Sequence, residues 1–232
     1  MADTKTFAAH GVWALVAITA VTAQGPRGVR RSDPVDPGLV RAQIEAVVAD
    51  VGVDAAKTGM LASGLVVATV ADALPDVPLV VDPVMVSTTG AELLDGPGVR
   101  MLRDRLLPRA WLVTPNLAEA GALTGLRVED RRRMEAAARA LVAAGSRAAL
   151  VTGGHLEGDV VADCLVIGDA EAQWLETPRL VGGGSHGTGC VLSAAVAARL
   201  AMGEDLEAAC RRAVQFVRAA IAAGGPAGVS PG

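Results

Sequence analysis

The sequence has no tyrosine and only two phenylalanines, and aromatic residues fill 2% of its 232 positions. Single-stranded nucleic acid is usually held by stacking bases on aromatic rings, so that kind of partner is not expected. Basic charge is short as well. Twenty-one Lys and Arg face 25 Asp and Glu, for a net charge of −4, which leaves no surplus to neutralise a phosphate backbone. The one basic run, in "EDRRRMEAAARALVAAGSR", has acidic neighbours and reads as the solvated start of a helix. Three cysteines, Cys164, Cys190 and Cys210, form no CxxC pair. That excludes a zinc ribbon and a disulfide framework and fits a reducing, cytoplasmic compartment. No apolar run is long enough to cross a bilayer.

The run from Val12 to Val21 needs separate treatment. "MADTKTFAAHGVWALVAITAVTAQG" has the outline of a secretory signal, but it carries Asp3 and His10 ahead of the apolar stretch. Its β-branched residues instead predict a buried strand, preceded by a short helix that His10 and Gly11 end.

Half of the chain (51%) is apolar, ample for a core. Ala, Val, Leu and Gly dominate it, which favours close packing of helices on a sheet. Strand-length apolar runs alternate with helical patterns. Strands are predicted in "DAAKTGM", "PLVVDPVM", "WLVTPN" and "AALVTGGH", with a hairpin turning at Gly168-Asp169. Helices are predicted from Pro37 to Asp50 behind Asp36, from Ser63 onward, over "VRMLRDRLLPRA", over "LAEAGALTG" up to Gly125, and from Arg131 to Ala144. Two more are predicted, from Gly189 to Ala201 and from Asp205 to Ala223. This alternation predicts an α/β fold with a mostly parallel sheet covered on both faces. One domain is expected over residues 1–223, with a loose Gly/Pro-rich tail over 224–232.

In such sheets the ligand lies off the carboxyl ends of the strands. Five segments there carry chemistry: "TAQG", "KTGM", "DPVM", "TPNLAE" and "TGGH". The literal Gly182-x-Gly184-x-x-Gly187 pattern is a false dinucleotide fingerprint, because it lies near the C-terminus and Glu204 and Asp205 begin a helix. What remains is "GTGC", Gly187 to Cys190, opening a helix of small residues. Backbone amides there suit an anion. A thiol at a helix start is expected to have a lowered pKa and could accept a proton from a substrate hydroxyl. Cys164 and Cys210 read as core. Asn116 and Glu119 have the spacing of a capping box, and equally of an amide and a carboxylate ordering water around Mg²⁺. Asp82 ends a strand on the ligand rim. His155 and His186 read as loop residues.

In order, "KTF", "ITAVTAQ", "KTGMLAS", "VVDPVM", "TPNLAEAGALTG", "VTGGHLEGD" and "SHGTGCVLSAAVAA" resemble the hydroxymethylpyrimidine and phosphomethylpyrimidine kinases of thiamin biosynthesis, from about residue 2 to about residue 223. The resemblance implies a ribokinase-like three-layer α/β/α fold. It further implies ATP and Mg²⁺ as cofactors, a small pyrimidine substrate and a homodimer. It assigns Cys190 as catalytic base, with Gly187 and Gly189 in the anion hole. Gln24, Met60 and Asp3 would line the pyrimidine pocket, and Asp82 and Glu119 would hold the metal. Thr152, Gly154, Thr188 and Asn116 would lie on the nucleotide and phosphate side. Many members have lysine where this chain has Thr152. They also open with a central strand and a glycine-rich turn that precede the matching residues here. A start upstream of Met1, and an exposed sheet edge without that strand, are therefore expected. Pyridoxal kinase on the same template and a non-catalytic binding homologue are the alternatives. Gln24 is expected to separate the first, and turnover the second.

Overall fold

Six helices begin in the same way, with a short polar side chain capping a backbone amide. Asp36, Ser63, Asp95, Asn116, Asp130 and Asp205 each accept from the amide three residues on. Such a bond satisfies one of the orphan donors that every helix start leaves. The computed structural model describes residues 2–25, 28–87, 90–180 and 187–223. Its helices are α1 (Ala2–Ala9), α2 (Pro37–Asp50), α3 (Gly64–Ala73), α4 (Gly96–Met101), α5 (Leu117–Thr124), α6 (Arg131–Ala143), α7 (Thr188–Ala201) and α8 (Leu206–Ala222). α4 widens into a π-turn over Leu102–Leu106 and tightens into a 3-10 turn over Leu107–Arg109. Both irregular turns fall within the helix expected over "VRMLRDRLLPRA".

The strands are β1 (Ala20–Gly25), β2 (Gly28–Pro34), β3 (Ala56–Thr58), β4 (Leu79–Val81), β5 (Leu112–Val113), β6 (Ala148–Val151), β7 (Val160–Ile167) and β8 (Gln173–Pro178). β3 to β8 form a six-stranded sheet in that order. β3 through β6 run parallel, and β7 and β8 are added antiparallel as the expected hairpin. One apolar core lies between the sheet and α2 to α6, and includes Val66, Val81, Leu106 and Leu141. A second lies under α7 and α8, and includes Val80, Leu150, Val196 and Ala213. The result is three layers, α/β/α, as expected.

The front of the chain departs from expectation. α1 ends at His10 and Gly11 as predicted, with Gly11 at φ +72°. The run after it forms no buried strand: residues 12–19 have no regular structure, and Trp13, Val16 and Ile18 are exposed. Regular pairing starts only at Ala20, where β1 joins β2 in a separate two-stranded antiparallel ribbon. Among the described strands, β3 is one edge of the large sheet. A cavity of about 660 Å³ lies beside it, lined by Ala17 and Thr19, by Ile44 and Val48 of α2, and by Ala197 and Ala198 of α7. Both helix layers therefore face the gap. The Ile18 backbone bonds the Gln43 side chain instead of a strand, and pairing with the ribbon begins only at Thr19, whose carbonyl accepts from Val35 N–H at 3.0 Å. The tail and residues 181–186, with Gly182, Gly184 and His186, lie outside the described residues. Among those described, no helix is long and apolar enough to cross a membrane.

Candidate functional site

Parallel strands deliver their last residues to one rim. Asp82 donates its backbone N–H to the Thr58 carbonyl (3.0 Å), Thr114 to that of Val81 (3.0 Å), and Thr152 to that of Pro115 (2.9 Å). The ladder thus continues just past β3, β4, β5 and β6 and lines up Thr58, Asp82, Thr114 and Thr152. A strand alternates its faces, so Lys57, Asp82 and Thr114 share the face of Val80 and Leu112, which is the side covered by α7.

α7 meets that face closely because alanines at 194, 195, 197 and 198 let it pack in. Its Ser193 is fully buried and donates its hydroxyl to Asp82 Oδ2 at 2.9 Å. Cys190, one turn earlier, sets its thiol beside the same carboxylate. Lys57 Nζ sits 3.4 Å from Asp82 Oδ2 and 2.8 Å from Asp3 Oδ2, with its side chain 3% exposed. Asp3, Lys57, Asp82, Cys190 and Ser193 therefore make one buried polar cluster drawn from α1, β3, the end of β4 and α7. Lys57 opens the "KTGM" segment and Ser193 lies in "SHGTGCVLSAAVAA", but the sequence assigns a role to neither, because their partners are distant in the chain.

The start of α7 is built for an anion. Its N-cap is Gly187 at φ +78°, a residue with no side chain to cap it. A β-carbon is strained in that left-handed conformation, which glycine adopts freely. The first-turn amides of a helix have no intrahelical acceptors, and they carry the positive end of its dipole. Gly189 follows, exposed, and among the described residues nothing lies within 4 Å of the place a β-carbon would take.

The thiol itself behaves otherwise than expected. Burial and then the Asp82 carboxylate push Cys190 up to about 12, against the opposing pull of Lys57. A helix start favours thiolate, but desolvation and an adjacent carboxylate outweigh it. Cys190 thus rests as a thiol beside Asp82.

Asn116 and Glu119 form the full capping box: Glu119 N–H to Asn116 Oδ1 is 3.0 Å, and Asn116 N–H to Glu119 Oε2 is 2.9 Å. Structural capping is thus present whatever else the pair does. Burial pushes Glu119 up to about 7 and the Asp82 carboxylate adds to the rise, while the amides of Asn116 and Met85 oppose it. Beyond this, the Thr114 hydroxyl is buried without a hydrogen-bond partner. Two carboxylates repelling each other and an unpaired hydroxyl on the same rim suit a hydrated Mg²⁺, which takes one or two carboxylates and keeps several waters. Among the described residues no three His, Cys, Asp or Glu side chains gather as a protein-only metal site. The residues therefore fit a cation whose shell is completed by water and phosphate.

The remaining predicted residues fall on both sides of this cluster. Thr152 and Asn116 are joined by an isolated parallel bridge. Gly154 leaves open space where a β-carbon would go, and its carbonyl accepts from Arg179 at 3.0 Å. Arg179 also holds the carbonyls of Gly158 and Leu156, so one guanidinium ties down the "TGGH" loop. Thr188 lies in the first turn of α7. Met60 lines the cavity with Asp3, and its carbonyl accepts from the Thr19 hydroxyl at 2.6 Å. Gln24 is exposed on β1, paired with Val29 in the ribbon, and is not among the residues lining that cavity.

A family model described as phosphomethylpyrimidine kinase matches residues 1–231. A hydroxymethylpyrimidine/phosphomethylpyrimidine kinase from Streptomyces coelicolor is 48% identical over 229 residues, covering 98% of this chain and 84% of that protein. The crystal structure of a phosphomethylpyrimidine kinase from Clostridium difficile 630 superposes with a TM-score of 0.82 at 32% identity, covering 95% and 91% of the two chains. An ADP complex of Bacillus subtilis pyridoxal kinase gives 0.85 at 33% identity, covering 94% and 84%. With nearly its whole length matched, and with a thiol, a carboxylate and a bare helix start meeting on the rim where this fold binds ligands, the chain belongs to the phosphomethylpyrimidine kinase family.

Proposed function

We propose that this kinase uses ATP with Mg²⁺ to phosphorylate the hydroxymethyl group of 4-amino-5-hydroxymethyl-2-methylpyrimidine, and then phosphorylates the resulting monophosphate to the diphosphate used in thiamin biosynthesis. The observation that carries the reading is the Cys190 thiol, set beside the Asp82 carboxylate in the first turn of a helix whose N-cap is a glycine. The names of the relatives support the pyrimidine, and the ADP complex of the Bacillus subtilis enzyme supports the nucleotide.

The first-turn amides of α7, from Thr188 to Cys190, hold the oxygens of the phosphoryl group as it moves, where most of the catalysis of such transfers lies. When bound, Mg²⁺ supplies charge neutralisation on the phosphate oxygens, and Asp82 and Glu119 are the residues that would hold it. Cys190 is the group placed to take the proton of the attacking hydroxyl, which it does as thiolate after its own proton has left to solvent, with the Lys57 ammonium favouring that thiolate. Ser193 and Lys57 keep the Asp82 carboxylate in place. A phosphate acceptor is already ionised, so the second step draws little on Cys190.

The test is ATP consumption by the purified chain with the pyrimidine alcohol, its monophosphate or pyridoxal as acceptor, and with Cys190→Ala beside the unchanged protein. Turnover on both pyrimidines is expected. In the variant the rate on the alcohol should fall by about 10²-fold or more, and less on the monophosphate. Preference for pyridoxal would support the sister activity, with Gln24→Ala then expected to have little effect. Ligand binding without turnover on any acceptor would assign the chain to non-catalytic binding.

A further inference from the structure

Lys57 so far only steadies Asp82, yet it is the charge that links the two carboxylates of the cluster. It lies at the second position of a three-residue strand, and burial leaves 3% of its side chain exposed. A β-carbon added at Gly59 would lie 3.2 Å from Lys57 Nζ and 3.9 Å from Asp3 Oδ2. The ammonium and its carboxylate therefore sit directly over the backbone that leads into Met60 and the cavity. From that position Nζ reaches Asp3 at 2.8 Å and Asp82 at 3.4 Å. Asp3 belongs to the first turn of α1 and lines the cavity, while Asp82 receives Ser193 and lies beside the Cys190 thiol.

Stability alone does not account for this arrangement. Desolvating ions costs several kcal/mol each, and apolar side chains of similar volume often serve a core equally well. What a buried ammonium does provide is a fixed point with three donors, charged at any working pH. Here that point joins two carboxylates far apart in the chain, one beside the acceptor pocket and one at the transfer site.

We propose that Lys57 is a positioning residue of the phosphoryl transfer: by holding Asp3 and Asp82 on one buried ammonium, it fixes the wall of the acceptor pocket relative to Cys190 and the start of α7. The proposal rests on the kinase reading above. It requires Asp3 to act through Lys57, and Lys57 to matter to the acceptor far more than to the nucleotide.

The experiment is steady-state kinetics of the unchanged chain, Lys57→Met, Asp3→Asn and the double variant, with the pyrimidine alcohol and ATP each varied. A misplacement of this kind costs about a hundredfold, so Lys57→Met should lower kcat/KM for the alcohol by about that factor while KM for ATP, measured at saturating Mg²⁺ because Asp82 would also hold the metal, stays within about threefold. Asp3→Asn should lose about tenfold, because it keeps an acceptor but not the charge. The double variant should be no worse than Lys57→Met, the non-additivity expected of groups acting as a unit. Circular dichroism checks that each variant folds. If Lys57→Met does not fold, Asp3→Asn decides, since its site is half-exposed, through the same split between acceptor and nucleotide KM. The proposal is overturned if the two losses multiply, if acceptor and nucleotide KM rise together, or if a folded Lys57→Met keeps its activity. If the unchanged chain turns over no acceptor, the kinase reading fails by itself. Calorimetric binding of the pyrimidine alcohol then judges Lys57 alone, with weaker binding in Lys57→Met expected and unchanged binding overturning the role.

Discussion

Two glycines illustrate how single positions set the rim. Gly187 needs its left-handed backbone, whereas Gly153 needs its missing side chain, because a β-carbon there would fall 2.0 Å from the Ala162 carbonyl oxygen. Gly153→Ala therefore forces the "TGGH" turn off β7, and we expect a loss of about 2 kcal/mol or more in urea unfolding. Gly187→Ala should cost about 1 kcal/mol, the penalty for left-handed backbone. Gly189→Ala has open space, so its cost should be small in unfolding and appear in activity instead. If Gly153→Ala proved as mild as Gly189→Ala, the close approach to Ala162 would be wrong. Cys190 and Asp82 are legible from the sequence because each stands at a punctuated end of an element. Lys57 is not. Its partners are distant in the chain, and an isolated lysine in "DAAKTGM" gives no sign that the strand will bury it.

Among the elements, most helices were legible to within a residue or two because their starts are written in local chemistry; α4 is the exception, beginning three residues ahead of Val99 behind Asp95. Asp36, Ser63, Asn116, Asp130 and Asp205 cap where the pattern says they should. The ribbon of β1 and β2 was not legible. "GVRRSDP" is charged and mostly exposed on both faces, so it lacks the period-two alternation that identifies a half-buried strand. The run before β1 misled for the opposite reason: its apolar content implied burial, but hydropathy cannot say whether a strand will find a neighbour. β7 offers a test of its own. Burial pushes Asp163 up to about 6 from 3.8, with the Gly153 amide opposing. A carboxyl with a raised folded-state pKa stabilises fully below its unfolded value and loses that contribution as pH rises through the folded one. The chain should therefore lose on the order of 3 kcal/mol from this group between about pH 4 and pH 6. Asp163→Asn still accepts from Gly153 and cannot ionise. Its unfolding free energy should lack that slope, as urea titrations at pH 4 and pH 7 will show; an identical slope in both proteins would rule the group out.

At the scale of the whole molecule, two apolar cores sandwich a sheet whose β3 edge borders a cavity reached from both helix layers. The three-layer arrangement followed from the alternation of elements, because a buried parallel sheet must be covered on both faces. The exposed edge was expected from the central strand that the resemblance places ahead of the matching residues; the cavity along it was not, since only the assembled layers show its walls. Hydrostatic pressure is the variable that reads such a cavity. Unfolding under pressure is favoured by the internal void it eliminates, so a sheet layer with an unfilled lane gives the native state a larger partial molar volume to surrender. Ala17→Val, which adds methyl groups to the cavity wall at a residue outside any regular element, should raise the mid-pressure of unfolding followed by tryptophan emission. An unchanged mid-pressure would mean that the lane is already filled by water, and that the chain is soft along this seam without being hollow.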